Sequence, residues 1–138
     1  MKKFLLIILL VFSVSVKSQS GEAENVSSFK ITQKTCINKK GNHLRLKKIV
    51  SDSRCPEGAN CIWAGEVSII VSYYRDGKFI EDKTIVFSHK NAEENKEWFA
   101  RRVPEKYQKV TDIVVFPYPK NGNTLNTKKY YVKVNYQE

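Results

Sequence analysis

The stretch Ser51-Asp52-Ser53-Arg54-Cys55-Pro56-Glu57-Gly58-Ala59-Asn60-Cys61-Ile62-Trp63-Ala64-Gly65-Glu66 separates two segments of alternating apolar and polar residues, and its reading decides the fold. It places two cysteines, a proline, two glycines, a tryptophan and four charged side chains in one short run. Pro and Gly at this density set turns, so the run reads as a compact knot between strands. The segment it feeds, Glu66 to Tyr74, alternates cleanly. Val67, Ile69, Val71 and Tyr73 fall on one face and Ser68, Ile70, Ser72 and Tyr74 on the other, as in a strand. Asp76-Gly77 then accepts the positive φ that a tight hairpin turn needs, so Phe79 to Phe87 returns antiparallel. In that register Tyr74 faces Phe79 and Tyr73 faces Ile80. Large apolar residues on both faces predict a hairpin central to a sheet pair, away from any exposed edge.

Working outward, Phe29 to Ile37 and His43 to Val50 alternate in the same way, and the turn residues Asn38 to Asn42 between them predict an antiparallel hairpin. Ser88 to Pro104 breaks the pattern. Its acids come early and Arg101 and Arg102 late, which suits a helix dipole, so a short helix is expected from Ala92 to Arg101, capped by Asn91 and docked by Trp98 and Phe99. Tyr107 to Phe116 reads as strand, halted by Pro117 and Pro119. A turn over Lys120 to Asn123 leads to a last strand, Lys128 to Tyr136, with Tyr130, Val132, Val134 and Tyr136 on one face. Short strands at this spacing predict an all-β domain: a single antiparallel β-sandwich or partly open barrel of six to seven strands, with one short helix or irregular crossover.

The first 20 residues read as a signal peptide: Lys2 and Lys3, an apolar run from Phe4 to Val16, then small residues near Ser18 and Ser20. Residues 21–28 are polar and read as a flexible arm, which leaves 29–138 as the β domain. The expectation is a soluble exported protein, periplasmic or secreted, with no transmembrane segment after cleavage. The 138-residue chain carries a formal charge of +10, and loss of residues 1–20 leaves 21 bases against 14 acids, or +7. Such a balance attracts polyanions, so an anionic envelope component or another exported protein is the expected partner. The lysines are scattered with no basic block interleaved with aromatics, so nucleic acid is not expected.

Three cysteines in an exported chain imply one bridge and one spare thiol. Cys55 and Cys61 are the natural pair, and pairing of Cys36 with either of them is the alternative. If Cys36 is spare, a buried free thiol is expected.

The run S-D-S-R-C-P-x-G-x-x-C-I-W-A-G-E resembles the signature of a family of small exported bacterial proteins, some of them lipoproteins. Looser similarity covers Asp112 to Pro119 and Tyr130 to Val134. The resemblance implies a compact β fold and carries no activity with it. No cysteine closely follows the apolar leader, a departure from the lipid-anchored relatives.

Catalysis and metal binding find little support. His43 and His89 sit near turns without a nucleophile motif, and only Cys36 with His43 offers the minimum for thiol chemistry. Asp52, Glu57 and Glu66 bracket the knot without a calcium-loop spacing, and the cysteines and histidines lack zinc spacing, so no catalytic residue, metal or cofactor is assigned. The knot has two readings. In the architectural one Pro56, Gly58 and Gly65 set turns and Trp63 plugs the open end of the sandwich. In the functional one it is a preorganised loop that binds through Arg54, Glu57, Asn60, Trp63 and Glu66. The leading expectation is an exported non-catalytic binding or envelope-associated module. The alternatives are a protease inhibitor presenting Arg54 to Cys61 and a small thiol-dependent enzyme using Cys36.

Overall fold

The fold is laid around one strand, β3 (Val67–Arg75), whose Val67, Ile69, Val71 and Tyr73 are all buried. The computed structural model describes residues 25–37, 40–121 and 126–138; the expected signal peptide, the first half of the arm and parts of two expected turns lie outside them. β3 sits between β2 (Asn42–Asp52) and β4 (Lys78–Phe87) in a three-stranded antiparallel sheet. A second antiparallel sheet has the order β1 (Val26–Ile31), β6 (Tyr131–Gln137), β5 (Val110–Phe116). The inner faces meet in one core, where Leu46, Ile69 and Val71 lie with Val132 and Val134 of the other sheet. Among the described residues the fold is thus all-β, an open sandwich of six strands with one short α-helix.

The hairpin turn follows its sequence. Asp76 and Gly77 have φ of 52° and 76°, and Arg75 pairs Lys78 while Tyr74 pairs Phe79, their rings edge to face at 5.7 Å. The next step departs from expectation. A bulge puts Glu81 opposite Tyr73 and leaves Ile80 half exposed, while Glu81 pairs with Arg102 at 2.8 Å. β4 is also an edge strand and mostly exposed, so of the two hairpin strands only β3 is central.

The expected first hairpin does not form. β1 pairs with β6, and β2 belongs to the other sheet. Local hydrogen bonds explain the break: the Thr35 hydroxyl donates to Thr32 O at 3.1 Å and the Thr32 N–H donates to Thr35 Oγ1 at 3.2 Å, so the chain turns after Ile31 instead of running on to Ile37. Leu46 N–H then donates to Thr32 O at 3.2 Å, joining the two sheets along that side. Val26 to Ser28 are strand residues paired with Asn135 to Gln137, so the ordered sheet starts inside the expected arm. Two further strands start late. Glu105–Tyr107 and Thr127–Lys129 are short 3-10 turns ahead of β5 and β6.

Helix α1 (Ala92–Ala100) packs against β4 and β5. Trp98 and Phe99 dock it as expected. Asn91 does not cap it. Its side chain, like that of buried Asn95, is directed to Val86 O, and the Asn95 Nδ2 bond measures 2.9 Å. Phe99 of α1 is fully buried with its ring near Phe87 of β4, so Phe99→Ala is expected to cost about 3–5 kcal/mol by urea unfolding. A loss below about 1 kcal/mol would show that the helix contributes little to the core.

Candidate functional site: a pinned loop beside a cleft

The knot extends the β2–β3 pairing beyond its strands. Ser53 N–H donates to Glu66 O at 2.8 Å and Cys55 N–H to Ala64 O at 2.8 Å, like two further rungs of the ladder. Cys55 and Cys61 are disulfide-bonded, with Cα atoms 5.9 Å apart. Within the ring Ala59 N–H donates to Pro56 O, and Gly58 at φ 79° supplies the third position that a type II turn requires. Gly65 is equally constrained: its φ is 71° and a Cβ there would lie 1.9 Å from Ser53 O, so this crossing of backbones admits only glycine.

Arg54 ties the knot to the opposite sheet. Its guanidinium makes a two-point ion pair with Asp52 (2.8 and 2.6 Å) and donates to the carbonyls of Val115 and Pro117. The Tyr118 ring lies over it at 4.6 Å, and the Tyr130 hydroxyl donates to Asp52 Oδ2 at 2.8 Å. Glu57 N–H donates to Pro119 O at 2.9 Å, one step further along the same chain. One arginine and one amide thus hold the connection between β2 and β3 to the end of β5.

This overturns the expected exposed role of Arg54. It is only 9 % exposed, and four of its five N–H groups already have acceptors, so it is not free to enter a protease specificity pocket. Trp63 departs from its architectural role too. It plugs nothing and stands 77 % exposed, next to a fully exposed Ile62 that the sequence reading leaves out. Glu57, Asn60 and Glu66 are exposed on the same connection, as their candidate role requires. Cys36 is exposed, not buried, and no hydrogen bond joins it to His43, whose ring faces Lys40 O at 3.3 Å. No group of three or more His, Cys, Asp or Glu placed to hold a metal occurs among the described residues.

Between the base of the knot, the start of α1 and the edge of β5 lies an open cleft of about 280 Å³. Val67, Phe87, Ala92 and Ile113 contribute apolar lining, and His89, Lys96 and Asp112 contribute polar groups. The sequence held no signal for this cleft, because its walls come from four separate segments. Comparison of the chain with family models, curated proteins and solved structures returns no match.

Burial pushes Asp52 upward, but the hydrogen bonds from Arg54 and Tyr130 and the charge of Arg54 outweigh it, so the carboxyl titrates below its ordinary value. Burial, with the bond to Asp52 second, pushes the Tyr130 phenol up to about 12. The depressed Asp52 contributes stability that is present above its unfolded value near 3.8 and is lost as pH falls through the folded value. The raised Tyr130 contributes stability that is present below pH 10 and is lost as pH rises toward about 12. Stability profiles are therefore expected to lose their acid limb in Asp52→Asn and to flatten between pH 10 and 12 in Tyr130→Phe. Arg54→Ala is expected to cost about 3–5 kcal/mol at neutral pH, because it leaves a buried carboxylate unpaired. Doubling the change with Asp52→Ala should recover part of that loss in a double-mutant cycle.

Proposed function

We propose that the protein is an exported, non-catalytic binding module that engages another exported or envelope-associated macromolecule through Ile62 and Trp63. The observation that carries this reading is the exposure of two large apolar side chains side by side on a segment pinned by a disulfide, a buried ion pair and a backbone bond to Pro119. Exposed apolar residues scattered singly are ordinary, but tryptophan on a preorganised loop is the residue type that dominates binding energy at protein interfaces. Rigidity adds to this, since little loop entropy is lost on docking. The excess of bases favours an anionic partner surface, while the exposed Glu57 and Glu66 leave the tip itself without a strong positive field.

A photo-crosslinking residue placed at Ile62 is expected to give a discrete adduct in cells that naturally produce the protein, and Trp63→Ala should abolish it without changing thermal stability. Ile80, an apolar residue 51 % exposed on β4, is the control. Equal adducts from both positions would mean non-specific apolar contact and would end the reading.

A further inference from the structure

Four consecutive residues of β5, Asp112 to Val115, line the cleft, so the wall it presents is a strand edge and not one face of a sheet. β5 is the outer strand of its sheet, paired only with β6. In an antiparallel ladder alternate residues direct both backbone groups away from the partner strand. The Arg54 bonds identify which ones: the carbonyls of Val115 and Pro117 point outward to the guanidinium, and that of Pro119 to Glu57 N–H. By the same alternation both backbone groups of Ile113, which lines the cleft, point outward, whereas Val115 is buried beneath Arg54. No turn, loop or inter-element backbone hydrogen bond reaches the two Ile113 groups among the described residues. The knot thus occupies this edge from Val115 onward and stops where the cleft begins.

We propose that the cleft takes an extended, uncharged peptide segment of the partner protein, which adds as a strand to the β5 edge at Ile113. The inference rests on the binding-module reading and gives it a partner chemistry. The outward N–H and C=O of Ile113 ask for the complementary groups of an extended chain, and the apolar lining takes side chains on alternate residues. Local charge does not select an ionic ligand. Arg54 is neutralised by Asp52 and Lys96 by Glu93 at 2.8 Å, with Asp112 opposite. A second copy of the whole domain fits less well, because α1 packs against β5 beside the same edge. The site is also continuous with the surface bearing Trp63, through Ala64 and Gly65.

The test is amide hydrogen exchange on the full-length protein, with a capped heptapeptide of alternating Val and Thr as probe. The Ile113 amide is expected to exchange fast in the free protein and to slow by about tenfold or more with saturating peptide. Ala92→Phe places a large side chain in the cleft lining and should remove the slowing. A peptide with alternate amides N-methylated should give none, whatever the stability of that variant. An Ile113 amide already protected in the free protein at low concentration would overturn the proposal. So would equal slowing with the methylated peptide, no slowing at all, or slowing that depends on protein concentration alone with a doubled mass, which would assign the edge to self-association. Adducts at position 62 that persist without peptide protection would sink this inference and leave the binding-module reading standing.

Discussion

The Asp52–Arg54 pair is the contact on which the arrangement of the two sheets depends. It starts at the end of β2, crosses to the carbonyls at the end of β5, and receives the Tyr130 hydroxyl from the segment entering β6. Both side chains are about 8 % exposed, so both have lost most of their hydration. A buried ion pair of this kind adds little net stability over a well-packed apolar pair, while either charge alone is costly. Its consequence is specificity: only an arrangement that brings Asp52, the end of β5 and Tyr130 together satisfies the guanidinium. Slippage of one sheet over the other would orphan it.

The same constraint frees the tip of the knot. With the base held by Arg54, the Gly65 crossing and Glu57 N–H, the Cys55–Cys61 ring need not pack on the core to be ordered. Closing a ring of this size stabilises by about 2 kcal/mol on the loop-entropy account, enough to limit the loop without holding the domain. Ile62 and Trp63 can then remain in solvent, and their exposure is a property of the anchoring beneath them.

The edges of the sheets are managed unequally. β4 twists away through a bulge beside Glu81, a common way of blunting an open edge. The β5 edge is covered at one end by the knot and approached by α1, with the cleft between them. The helix therefore does more than fill the crossover between β4 and β5, since its Ala92, Asn95 and Lys96 line the cleft.

Much of the local structure was legible in the residues. Period-two alternation marked β3 and β6, Asp76-Gly77 specified the turn and the Tyr74–Phe79 pair, and the glycine and cysteine positions of the knot marked a turn-rich, bridged segment. Alternation says which residues share a face, but it does not say which strand lies alongside. That is why β1 could pass for a partner of β2 until the Thr32–Thr35 turn sent it to β6. The site divides in the same way. Its residue types could be read from the motif, whereas burial could not: an arginine and a tryptophan in a turn-rich loop look equally available to solvent. Tertiary structure buried Arg54, because carbonyls 61 and 63 residues away and a carboxylate two residues away meet its donors. It left Trp63 outside, because none of the described residues reaches past the disulfide to cover it. Sequence alone determined the strands, the turn and the knot through short-range backbone and periodicity rules. Strand partners, the inward arginine and the cleft needed hydrogen-bond geometry between segments far apart in the chain, which only the packed sheets supply.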